Sequence, residues 1–168
     1  LHDDPANVFV ADFLGGPGMN VFPAKIGQRD DGGGLCLRWG RDRIPIPPES
    51  IKRYPDLPRR QGEELFAGLR PEAFRSPDQV PESNRITVEA VAVERLGHET
   101  LVYFDQTVES LGTDSAAVLK DAEISPARTV ARLAGDAMAP EPGENFTIGV
   151  DLAKLRLFDS RGQRLGAS

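Results

Sequence analysis

Apolar positions in this chain alternate with polar ones far more often than they recur at helical spacing. In GLCLRWG, residues 34–40, Leu35, Leu37 and Trp39 alternate with Cys36 and Arg38, the period-two signature of a strand with one face in a core. The stretch before it, MNVFPAKIG at 19–27, predicts a first strand in which Pro23 favours an edge or a strand end. QRDDGGG at 28–34 supplies the Asp-Gly and Gly-Gly steps that hairpin turns require. DRIPIP at 42–47 predicts a further short strand, and the proline-rich, charged residues 47–61 a surface connection with one helical turn. EELFAGLRPEAF at 63–74 predicts a strand running into a turn at Pro71, and SPDQVPESN at 76–84 a loop. The β-branched run ITVEAVAVERLG at 86–97 is the longest strand signal, and Gly97 and His98 turn it into ETLVYFDQ as a second hairpin. Residues 116–124 and 127–135 mix helix and strand formers, the second inclining to strand, while NFTIGVDLAKLRLFD at 145–159 predicts strand, turn, strand.

One stretch has a helical pattern. Asp4 suits an N-cap, Pro5 a first turn, and Val8, Phe9, Phe13 and Leu14 recur at helical spacing until Gly15, Gly16 and Pro17 stop them. So short a helix is marginal alone. With Leu1 and no initiator Met at its head, it is expected to belong partly to something upstream.

A weak internal echo links the two halves. FAGLR at 66–70 and TIGVD at 147–151 both place Gly before an apolar residue and then a charged one. Their separation suggests two related β units of roughly 60–90 residues. Many short strands with Gly- and Pro-rich turns predict a mainly β fold, with small barrels of the oligonucleotide/oligosaccharide-binding (OB) type in tandem, rather than a parallel sheet.

Composition narrows the function. The 168 residues are 39% hydrophobic and 27% charged, the balance of a soluble globular chain. No apolar run approaches a membrane span and no signal peptide is apparent. Cys36 is the sole cysteine, expected as a half-buried free thiol, and His2 and His98 are the only histidines, which excludes internal disulfides and cysteine-based zinc clusters. A formal net charge of −6 argues against a nucleic-acid partner.

Catalytic motifs do not emerge. Gly32-Gly33-Gly34 lacks the Lys-Ser/Thr of a phosphate loop, and Gly15 to Gly18 follow a helix instead of preceding one. Two histidines without a nucleophile signature do not make a hydrolase. Glu63, Glu64, Glu89 and Glu94 fit solvated strand faces, and His98 fits a turn. Arg70-Pro71-Glu72 is more specific, because proline holds Arg70 extended and presets the turn. These two charges then form a structural ion pair or face a partner.

PANVFVADFLGGPGMN, GLRPEAF, ERLGHETLVY and LAKLRLFD, in that order and spacing, resemble the C-terminal regulatory part of the ATP-binding subunits of carbohydrate-importing ABC transporters, the maltose and glycerol-phosphate importer type. The resemblance covers nearly the whole chain, least well at the middle loop and residues 106–124. It departs from the family at Gly16, often a small hydroxyl residue there, and at Ala73, often histidine. It implies that residues 1–18 are the helix and hinge leaving a missing ATPase domain, with Phe9, Val10, Phe13, Gly15, Pro17, Met19 and Asn20 at the junction. Residues 19–168 would be an accessory domain of two intertwined OB-like barrels. Arg70, Pro71, Glu72, Glu99 and Thr100 are the candidate interdomain or partner contacts. The implied partners are the nucleotide-binding domain in cis, a second copy in a homodimer, permease subunits through the parent, and an inhibitory regulator protein. The implied place is the cytoplasmic face of the plasma membrane. ATP and Mg belong to the parent; the nucleotide motifs are absent here, so the fragment is expected to need no cofactor, bind no metal and catalyse nothing. The alternative is a stand-alone OB-like domain that holds a small oxyanion or a sugar between its barrels.

Overall fold

The computed structural model describes residues 18–108, 111–135 and 139–166. The stretch predicted as an opening helix, and with it Phe9, Val10, Phe13, Gly15 and Pro17, lies outside the described residues. In chain order the elements are β1 (Asn20–Gln28), β2 (Leu35–Trp39), β3 (Asp42–Pro45), α1 (Pro48–Arg53), β4 (Glu64–Leu69), β5 (Phe74–Arg75), β6 (Arg85–Arg95), β7 (Glu99–Asp105), α2 (Thr113–Asp121), β8 (Arg128–Ala134), β9 (Asn145–Val150) and β10 (Arg156–Phe158). They form two five-stranded sheets in the orders β10-β4-β1-β2-β3 and β5-β9-β6-β7-β8, with every named strand pair antiparallel.

The two orders are the same arrangement used twice, with one strand exchanged. β5 leaves the end of the first sheet's β4 and pairs with β9, while β10 leaves the end of β9 and pairs with β4. The registers coincide as well: Arg75 faces Gly149, and Arg156 faces Gly68. Gly68 and Gly149 are the glycines of the internal echo. A Cβ on Gly68 would meet the Met19 side chain, which would have to turn aside, and one on Gly149 would collide with Val80 and crowd the Ser76 carbonyl, so the residue 76–80 turn would have to shift.

One core lies between the sheets. Trp39 of β2 stacks on Phe22 of β1 with ring centroids 4.1 Å apart and meets Phe74 and Phe104 of the other sheet at 6.2 Å each. Offset and edge contacts of this kind add to the burial itself. A second apolar cluster covers the outer face of the first sheet, where Leu119 of α2 packs with Met19, Val21, Phe66 and Phe158.

The structure corrects several expectations. Residues 47–61 are more than a surface connection, since Tyr54 and Leu57 are core residues and Ser50 is buried. Pro23 sits inside β1 rather than at its end, but at a local edge as expected, because there β1 pairs with β4 alone and pairing with β2 begins at Lys25. Residues 113–121 are helix, because Leu119 has an apolar face to cover, while residues 128–134 are strand. Residues 145–159 are strand, turn, strand as expected, but β9 and β10 join different sheets. Cys36 is buried, at 2% exposure, rather than half-buried, and that burial pushes its thiol above the ordinary range.

Candidate functional site

The two places where the chain crosses between sheets lie side by side and enclose a cleft. On one side, Arg70 is extended (φ −73°, ψ 153°) ahead of the Pro71–Ala73 turn, as the restriction on a residue preceding proline requires. On the other, the Asp151 carboxylate accepts from the Ala153 N–H at 2.9 Å, folding residues 151–155 tightly. α1 pins this second crossing. Ser50 Oγ donates to the Leu152 carbonyl at 2.8 Å, and Arg53 Nη1 donates to the carbonyls of Ala153 and Leu155 at 3.4 and 3.3 Å. The crossings also bond to each other, with the Asp151 N–H donating to the Ala73 carbonyl at 2.9 Å.

The cleft encloses about 170 Å³ and is lined by Met19, Arg70, Glu72, Ala73, Arg75, Asp151, Ala153, Lys154 and Arg156. Apart from Met19 these residues form pairs set by the distance from Gly68 to Gly149, 81 positions: 70 with 151, 72 with 153, 73 with 154, and 75 with 156. The cleft therefore sits on a local two-fold relation. Arg75 is 3.3 Å from Asp151, and Arg156 Nη1 donates to the carbonyls of Lys154 and Leu155 at 3.3 Å each. A wider groove beside it shares Glu72 and Arg75 and extends to Arg132 of β8. Arg132 Nε is 3.4 Å from Glu99 but lacks hydrogen-bond alignment.

Met19, Arg70 and Glu72 thus meet in one cleft, above the buried Pro71. Asn20 points elsewhere: its amide donates to the Val130 carbonyl and accepts from the Val130 N–H, both at 2.9 Å, and so closes part of the open edge of β8. Glu99 is partly exposed beside Arg132, whereas Thr100, at 3% exposure, faces inward. Sequence reasoning missed Arg75, Asp151, Lys154 and Arg156. Extending the echo would have found them, since GLRPEAFR and GVDLAKLR align without a gap and both end on Arg. Among the described residues no group of three His, Cys, Asp or Glu side chains could hold a metal, and no helix is long and apolar enough to cross a membrane.

No protein-family model matches the chain. It is 32% identical over 164 residues to the sn-glycerol-3-phosphate import ATP-binding protein UgpC of Chromobacterium violaceum, covering 98% of this chain and 36% of that protein. The alpha-glucoside transport ATP-binding protein AglK of Rhizobium meliloti is 31% identical, with coverages of 97% and 38%. This chain matches the C-terminal part of the ATP-binding subunits of sugar-importing ABC transporters. The trehalose import ATP-binding protein SugC of Mycobacterium tuberculosis, 29% identical, is covered to 41% of its length, so the chain spans less than half of each of these curated relatives. Among solved structures, the cytoplasmic molybdate-binding protein ModG in a molybdate-bound form superposes with a TM-score of 0.53 at 13% identity, covering 83% of this chain and 95% of that one. The shared fold is the tandem of OB-like barrels expected from the strand pattern.

Proposed function

We propose that the chain is the non-catalytic regulatory and dimerisation region of the ATP-hydrolysing subunit of an ABC-type sugar import system. The observation that carries this reading is the match along 98% of the chain to about a third of an import ATP-binding protein. Residues 1–18 are then the helix and hinge from the ATPase domain, and residues 19–168 the accessory domain. ATP and Mg act in the parent, between its catalytic domains. The permease subunits hold the parent at the inner face of the membrane, and this region links two copies and offers a surface to an inhibitory protein. Relatives named for glycerol phosphate, alpha-glucosides and trehalose match it at 29–32% identity.

Sedimentation equilibrium of the chain over a wide concentration range tests the dimerisation role, with a reversible monomer–dimer equilibrium expected. A monomer at every concentration would remove that role from these residues. For the regulatory role, the assembled transporter is compared with and without residues 19–168; deletion is expected to change how ATP hydrolysis responds to substrate and not to abolish nucleotide binding.

A further inference from the structure

We infer that the second barrel opens along the seam between β5 and β8, and that the Asn20 side chain is the latch that keeps it shut. In the reading proposed above, residues 1–18 lead in from the ATPase domain, which puts the latch two residues beyond that junction. A regulatory use of the latch rests on that reading, whereas the latch itself does not.

β5 and β8 are the two edges of the second sheet. They face each other across the groove of about 570 Å³, with Phe74 and Arg75 on one side and Arg132, Leu133 and Ala134 on the other. Among the described residues no backbone hydrogen bond joins these two strands. The ladder shows where the free groups point. The Asn20 amide takes up both the N–H and the carbonyl of Val130, so these groups face away from β7, whereas the Gly135 N–H donates to the His98 carbonyl on the β7 side at 2.7 Å. Alternation along an antiparallel strand then turns the N–H and C=O of Arg132 and Ala134 towards the seam as well, where no backbone group of the described residues bonds them.

Parting β5 from β8 therefore breaks no ladder bond, while any other division of the second sheet does, and the seam is the local opening that disrupts least. Three things resist it. The Phe74 ring stands edge-on to Phe104 with centroids 5.7 Å apart, Leu133 is buried at 6% exposure, and Asn20 of the first sheet holds Val130 of the second. Asn20 and Val130 are 7% and 8% exposed, so losing the pair strands an amide and two backbone groups at a buried place. The equivalent residue supplies a contrast. Asn84 precedes Arg85, which faces Gly149, as Asn20 precedes Val21, which faces Gly68. Its amide donates to the Val150 carbonyl at 3.2 Å, within its own sheet, and closes no seam.

Thiol labelling of the full chain tests the latch. Leu133→Cys places a thiol on the buried lining of the groove, and the native Cys36, at 2% exposure in the first sheet, reports unfolding of the whole. The thiol at position 133 is expected to label faster than Cys36 and with a weaker dependence on urea, because a local opening exposes less surface than global unfolding. Adding Asn20→Ala should raise its rate about tenfold, and adding Asn84→Ala should leave it unchanged. Thermal melts verify that each variant folds. Acrylamide quenching of Trp39, the sole tryptophan, reads the same opening without the change at position 133, since Trp39 lies 6.2 Å from both Phe74 and Phe104; Asn20→Ala should increase it and Asn84→Ala should not. The inference is overturned if the thiol at position 133 labels with the rate and urea dependence of Cys36, or if Asn20→Ala speeds neither labelling nor quenching. Neither outcome alters the monomer–dimer equilibrium, so the latch and the regulatory reading fail separately.

Discussion

The two sheets have the same strand order yet opposite surroundings. In the first, β4 is buried at five consecutive positions, Leu65 to Leu69, because the inter-sheet core covers one face and α2 the other. In the second, β6 alternates: Ile86, Val88 and Ala90 are buried, whereas Arg85, Thr87 and Glu89 are exposed. Its outer face carries the Thr87–Thr147 hydroxyl pair at 3.0 Å and the exposed Val91, freed by a bulge between Ala90 and Ala92. One architecture thus accommodates a continuous apolar strand and an alternating one, according to how many faces are covered. The covering helix of the first sheet comes from the connection between strands of the second, so neither sheet is complete by itself.

That interdependence can be broken in graded steps. Trp39→Ala, at the aromatic junction of both sheets, is expected to cost about 3–5 kcal/mol and to lower the stability of both sheets together. Urea unfolding followed by far-UV circular dichroism should keep one transition; two separated transitions would mean that the sheets fold independently. Leu119→Ala, on the helix face that covers the first sheet, should cost about 2–4 kcal/mol and increase binding of a hydrophobic dye as the Phe66 and Phe158 face opens. A smaller effect, about 1–3 kcal/mol, is expected of Asn20→Ala, which strands the Val130 N–H and carbonyl at a buried position. Hydrogen exchange at Val130 should then rise ahead of exchange in β7. Thr87→Ala, on the uncovered face of the second sheet, should change stability by less than about 0.5 kcal/mol. A loss as large as that of Leu119→Ala would show that this face is covered in solution, as it would be at a dimer interface.

Much of the fold was legible. The turn at residues 28–34 is there, with positive φ at Gly32 and Gly34, and so is the hairpin of β6 and β7 around Gly97, whose φ is 76°. These are local decisions, made by glycine's freedom and by the alternation of neighbours. Residues 116–124 were ambiguous because the helix there is weakly amphipathic, and only the apolar face of the first sheet gives Leu119 somewhere to go. Of the cleft, Arg70 and Glu72 could be singled out because Pro71 stiffens the backbone between them. Arg75, Lys154 and Arg156 were ordinary surface charges until the strand exchange set them together.

The sequence by itself determined the strands, their turns, the acidic balance and the paired Gly-containing segments, since each depends on residues close together in the chain. Only the tertiary structure decided that β5 and β10 trade sheets, that α2 roofs the sheet it does not interrupt, and that cations 81 positions apart share one cleft. The physical reason is that exchange and burial are settled by which apolar faces remain uncovered once the sheets exist. That is a property of the packed whole, and no local pattern encodes it.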